Sequence, residues 1–123
     1  MSYNNKPLGV AIVGFGGMGG WHSETISRIS EVELKGVYDI DSSRLDIAKS
    51  RSINVYNSLD EVINDASVSV VTVAVPNDIH RELCIKLMQG GKNVICEKPV
   101  TLSSEDLEAM IKAAEDNKVI FTV

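Results

Sequence analysis

From Leu8 onward, short apolar runs alternate with stretches in which apolar residues recur every three or four positions. The first pattern predicts strands and the second predicts helices packed on them. Leu8 to Val13 is the first strand, and a glycine cluster leads from it into a helix ending near Ile29. That helix aligns Met18, His22, Ile26 and Ile29 on one face, which makes His22 a core histidine. Val32 to Tyr38 is the second strand, and Asp41 or Ser42 is suited to cap a short helix carrying Leu45 and Ala48. Ile53 to Tyr56 reads as a brief third strand. Ser58 and Glu61 then form an S-x-x-E capping pattern ahead of a helix with Leu59, Val62 and Ile63 on one side. Ser69 to Val75, rich in β-branched residues, reads as a central buried strand that Pro76 ends. The next helix runs from about Asp78 to Met88, and Gly90 and Gly91 stop it. Asn93 to Cys96 is the fifth strand. Ser103 and Asp106 open a last helix with Leu107, Met110, Ile111 and Ala114 on its apolar face, and Val119 to Val123 begins a sixth strand.

Such alternation predicts an α/β fold: a doubly wound parallel sheet in three αβα layers, with right-handed crossovers. Six strands in the order 3-2-1-4-5-6 are expected. Ligand belongs in the crevice above the carboxyl ends of strands one and four, where the order reverses.

Composition narrows the partners. The 123 residues predict one domain over positions 1–123. Twelve basic residues against seventeen acidic ones give a net charge of −5, which argues against nucleic acid or an anionic membrane as partner. Any phosphate must then be held by backbone amides and helix ends. No apolar stretch approaches the roughly 20 residues that span a bilayer. Cys84 and Cys96 lack metal-ligand spacing, so no metal site is expected, and two buried reduced thiols fit a cytoplasmic protein. The final apolar strand has no polar tail behind it, so the chain reads as cut at a domain boundary.

Four segments carry candidate chemistry. Gly14-Phe15-Gly16-Gly17-Met18-Gly19 matches G-x-G-x-x-G between a strand and a helix. Gly14 permits the tight turn, Gly16 lets a pyrophosphate approach the backbone, and Gly19 lets the helix pack close. This is the phosphate turn of a Rossmann dinucleotide-binding fold, with the anion over the helix start. Asp39, followed by Ile40, ends the second strand. Its carboxylate can accept the adenosine ribose hydroxyls and would repel a 2′-phosphate, favouring NAD over NADP. Helix capping is its other reading. Arg44 can stack on adenine or tolerate a phosphate, which leaves NADP open. Val75-Pro76-Asn77 follows the central strand and places Asn77 beside the expected nicotinamide ribose, or at a helix cap. His80, just beyond, is either functional or a packed helical histidine. Glu97, Lys98 and Pro99 end the fifth strand at the ligand edge. A lysine there can bond a substrate hydroxyl and stabilise a developing alkoxide. Glu97 can position that lysine or touch the nicotinamide ribose.

With GFGGMGGWH, VAVPNDIH and GGKNVICEKPVTLS in this order, nearly the whole chain resembles the glucose–fructose oxidoreductase, myo-inositol dehydrogenase and rhizopine-catabolism family. The resemblance implies an N-terminal Rossmann domain followed by a larger α/β domain that holds most of the substrate site. It implies NAD-dependent oxidation or reduction of sugars, polyols and related hydroxyl or carbonyl compounds. Lys98 then takes the family's catalytic position next to nicotinamide and substrate. Gly14, Gly16, Gly19 and Asp39 match its cofactor fingerprint, and Pro76, Asn77 and His80 match its loop. The substrate domain is absent from 1–123, so the chain alone is expected to bind cofactor without turning over substrate. The surface so bared is expected to be partly apolar and to favour a homo-oligomer. A nicotinamide-sensing module without chemistry is the rival reading, though it has no need of Lys98. A methyltransferase on a similar fold is a second rival, and the E-K-P after strand five argues against it.

Overall fold

The computed structural model describes residues 6–97 and 103–123. Its strands are β1 Leu8–Val13, β2 Val32–Tyr38, β3 Val70–Val73, β4 Asn93–Cys96 and β5 Phe121–Thr122. All pair in parallel, in the order β2-β1-β3-β4-β5. The helices are α1 Gly17–Ser27, α2 Ser42–Ser50, α3 Leu59–Asn64, α4 His80–Gln89 and α5 Ser104–Asn117.

Alternating strand residues build two cores. Ile12 and Val37 point to one face and pack with Phe15, Ala48 and the flank of Ile26. Ala11, Val13, Val71, Val73, Val94 and Cys96 point to the other, against Leu87 and Met88 of α4 and Met110 of α5. Buried residues on both faces are what the near-continuous apolar runs require. The order reverses between β1 and β3, so the expected crevice lies above these two strands.

The six-strand order 3-2-1-4-5-6 is corrected to five strands among the described residues. Residues 53–56 reach the outer edge of β2 but make a single bridge, Val55 to Val37. Two backbone bonds hold it: Val37 N–H to Asn54 O at 2.9 Å and Tyr56 N–H to Val37 O at 2.8 Å. The ladder stops there because β2 is irregular. Val10 pairs with Leu34 and Ala11 with Gly36, so Lys35 is an extra residue, a bulge. Its carbonyl accepts from the Asn54 side-chain amide at 3.4 Å.

The apolar face expected for the first helix is also corrected. α1 buries Gly19, Gly20 and Ser23, while Met18 and Ile29 are exposed. Glycine lets the helix lie so close to the sheet that small residues fill the contact and larger ones are displaced outward. A Cβ on Gly19 would stand 2.0 Å from the Gly14 carbonyl oxygen, which no side chain tolerates.

The caps follow the sequence. Asp41 caps α2 through Ser43 N–H, Ser58 caps α3 through Glu61 N–H, and Ser103 caps α5 through Asp106 N–H. Glu61 returns its carboxylate to Asn57 N–H, one residue before the cap. Among the described residues no helix is long and apolar enough to cross a membrane.

Candidate functional site

The glycine turn is stitched to the end of β2. Gly14 takes φ +97°, a left-handed conformation that glycine alone adopts without strain. Its N–H bonds Tyr38 O at 2.8 Å, and the next amide, of Phe15, bonds Asp39 Oδ2 at 2.8 Å. A Cβ on Gly14 would meet Ala74 O at 2.4 Å, so this glycine also lets the turn cross the end of β3. Gly16 is the N-cap of α1 and offers no side chain to the amides behind it. No acidic residue stands in the first turn to neutralise the helix dipole. In front of Gly17 there is open space, with no atom within 4 Å of where a Cβ would lie. Free amides, an uncompensated positive dipole and an open approach together suit an anion. Phe15 lies beneath the turn, buried, with the Arg51 guanidinium 5.7 Å from its ring.

Asp39 is 6% exposed and serves two amides. Oδ2 accepts from Phe15, and Oδ1 accepts from Asp41 N–H at 2.9 Å. Arg44 reaches Oδ2 at 3.4 Å with its side chain half exposed. A carboxylate has about four acceptor positions, so Asp39 keeps capacity for hydroxyl donors. Ile40 is 86% exposed beside it. Arg44, Arg51, Trp21 and Gly16 line the cleft between α1 and α2 next to this carboxylate.

On the far side of the crevice, Val75 is half-buried and Pro76 exposed, leading into a short 3-10 turn over Asn77–Ile79. His80 is buried, at 1% exposure. Its Nε2 lies 2.7 Å from Val75 O, which can only accept, so Nε2 carries a proton. Nδ1 then accepts from the Cys96 thiol at 3.2 Å if the ring is neutral. His80 thus props the loop after β3 against the end of β4. Burial puts its ring beneath the crevice surface. The Cys84 thiol lies beside this pair. The hydrogen bond it gives Cys96, together with burial, pushes it far above the ordinary thiol range.

Glu97 follows β4, its backbone N–H bonded to Val73 O at 3.0 Å. Its Oε1 meets Nε2 of His22, from α1 on the opposite side of the glycine turn. His22 is therefore a half-buried partner of Glu97, not the core histidine its spacing implied. Nothing in the local pattern of α1 signals this pairing, because the two residues are 75 positions apart. Lys98 and Pro99 lie outside the described residues. Gly14 to Gly19 and Asp39 come together at one end of the crevice; Val75, Pro76 and Glu97 lie at the other, past β3.

Residues 8–123 match the model of the oxidoreductase family with an NAD-binding Rossmann fold. An uncharacterized oxidoreductase of Streptococcus pneumoniae is 38% identical over 110 residues, covering 89% of this chain and 30% of that protein. Glucose-6-phosphate 3-dehydrogenase of Bacillus subtilis is 36% identical over 107 residues, covering 86% of this chain and 30% of that enzyme. The crystal structure of GenD2 from gentamicin A biosynthesis, in complex with NAD, superposes with a TM-score of 0.89 at 34% identity, over 98% of this chain and 35% of that one. The chain thus spans about a third of the length of these relatives. Its glycine turn, its Asp39 and this match over 8–123 establish that it belongs to the glucose–fructose oxidoreductase, myo-inositol dehydrogenase and rhizopine-catabolism family, as its NAD-binding Rossmann domain.

Proposed function

We propose that residues 1–123 form the cofactor half of an enzyme that moves hydride between NAD and a sugar, polyol or related hydroxyl or carbonyl compound. The substrate domain lies outside these residues. The observation that carries the reading is the open, uncapped start of α1 beside a buried carboxylate at the end of β2. The residues fit the group. The open space before Gly17 admits a pyrophosphate, to whose oxygens the amides of Gly17, Met18 and Gly19 would donate. Asp39 would accept the adenosine ribose hydroxyls, with Ile40 and Arg44 flanking adenine. Val75, Pro76 and Asn77 would floor the nicotinamide half, His80 would hold that floor from beneath, and Glu97 would bound it.

Bound NAD supplies the hydride acceptor. Lys98 follows Glu97 directly, and we assign it the catalytic role. Its ammonium would donate to the substrate oxygen, fix the reacting carbon and stabilise the negative charge that develops on that oxygen during hydride transfer. Names such as glucose-6-phosphate 3-dehydrogenase among the relatives support a sugar-like substrate. A cytoplasmic homo-oligomer fits two buried reduced thiols and a partly apolar exposed face.

Titration of the chain with NADH and NADPH, followed by nicotinamide fluorescence, tests the reading. NADH should bind, and NADPH should bind about tenfold more weakly, the effect of roughly 1.4 kcal/mol of repulsion at Asp39. Failure to bind either cofactor would overturn it; equal affinity would hand cofactor choice to Arg44.

A further inference from the structure

The pair between His22 and Glu97 joins the helix of the glycine turn to the far end of the crevice. Both side chains are partly exposed, at 19% and 26%. A pair so wet adds little to folding stability, so its use lies elsewhere. Its geometry constrains one residue twice. The Glu97 backbone is fixed to β3 through Val73 O, and its carboxylate is fixed to α1 through His22. A carboxylate only accepts, so His22 Nε2 donates to Oε1 whether the ring is neutral or charged. The Trp21 ring stands edge-on to the imidazole, 5.3 Å away between centroids, and limits its swing. A carboxylate offers about four acceptor positions, so Glu97 keeps capacity for hydroxyl donors beyond its bond to His22.

Resting on the reading above, we infer that His22 is a positioning residue: it holds the Glu97 carboxylate in the orientation that receives the ribose diol of the nicotinamide half. The glycine turn and Asp39 hold the adenosine half without it. His22 therefore acts only on the half of the dinucleotide that lies past β3. It also explains why α1 must lie so close to the sheet. Gly19 brings the helix down, and the residue three positions later reaches the neighbouring strand end.

The two halves can be separated by ligand. NADH carries the nicotinamide riboside, and ADP carries adenosine and the pyrophosphate without the second ribose. The intact chain, His22→Ala, His22→Gln, Glu97→Ala and the double alanine variant are each titrated with both, and each is melted. His22→Ala should weaken NADH about five- to tenfold, the scale of a lost charged hydrogen bond. It should weaken ADP less than half as much, because ADP has no second ribose for Glu97 to receive. His22→Gln keeps an N–H donor and should recover most of the NADH affinity. The double variant should be no weaker than Glu97→Ala, since His22 acts through Glu97. Melting temperatures should agree within a few degrees. Equal losses for both ligands, no loss for NADH, or additive losses in the double variant would each overturn the inference. Wild-type chain that binds neither ligand would instead overturn the cofactor reading on which it rests.

Discussion

Asp39 has two jobs at once. Its carboxylate satisfies the N–H groups of Phe15 and Asp41, and these amides set the path of the glycine turn and of the approach to α2. Asp39→Ala would leave both amides unpaired in a buried place, so a loss of about 1–3 kcal/mol is expected in urea unfolding. A variant that alters cofactor choice here should therefore also cost stability. Asp65 behaves differently. The Ser67 hydroxyl, the Tyr56 hydroxyl and the Ser67 amide all donate to it and hold its carboxyl below the ordinary 3.8. A depressed carboxyl contributes stability at and above that ordinary value, and loses it as pH falls through the lower folded value. Asp65→Asn should accordingly flatten the fall in melting temperature below about pH 4, and an unchanged acid limb would show that Asp65 does not contribute. Asp39 was legible in the sequence because it ends a strand two elements from G-x-G-x-x-G. His22 was not, since its partner is set by how helix and strand cross in space.

The α5 helix begins and ends with opposite chemistry. Ser103 accepts from Asp106 N–H at its start, and Lys118 closes its end with φ 55°, a left-handed conformation in a residue that carries a Cβ. Ser103→Ala should lower stability by about 1 kcal/mol, whereas Lys118→Gly should raise it by roughly 0.5–1 kcal/mol. Thermal melts of both variants would check the opposed signs. Strand boundaries at β2 and β4 could be read to the residue, because Gly, Asp and Lys punctuate short apolar runs there. The supposed third strand could not. Its composition is that of a strand, but its pairing depends on a bulge in β2 that only the register reveals. The face of α1 was misread for a related reason. Apolar periodicity assumes that large residues make the contact, and in this helix glycines make it.

Across the whole molecule the two sheet faces differ. The face under α4 and α5 is closed over a large core that includes both cysteines. On the α1 side, Leu8, Val10, Val70, Thr72 and Ile95 line an open apolar groove bounded by His22, Ile26 and Ile29. Runs of β-branched residues predicted strands covered on both faces, and they cannot tell which cover belongs to this stretch of chain. The closed face makes a prediction of its own. Both thiols are fully buried and Cys84 is held protonated, so neither should react with an aromatic disulfide reagent in native buffer. Both should react once the chain is unfolded in guanidinium. Rapid labelling of the folded chain would mean that the α4 face opens on the timescale of the reagent.

The extra residue at Lys35 sets a phase. Leu34 and Val37 both pack into the α1–α2 core although they are three positions apart, an odd number that would put them on opposite faces of a regular strand. The bulge absorbs that half-period. Everything beyond it, Tyr38 and Asp39 included, owes its facing to one inserted amino acid several residues upstream. Selectivity for the ribose is in that sense timed along the strand like a tooth in a gear. Deletion of Lys35 should rotate Asp39 out of reach of Phe15 N–H without changing any side chain at the crevice. Retained NADH binding in the deletion variant would show that the strand re-registers instead.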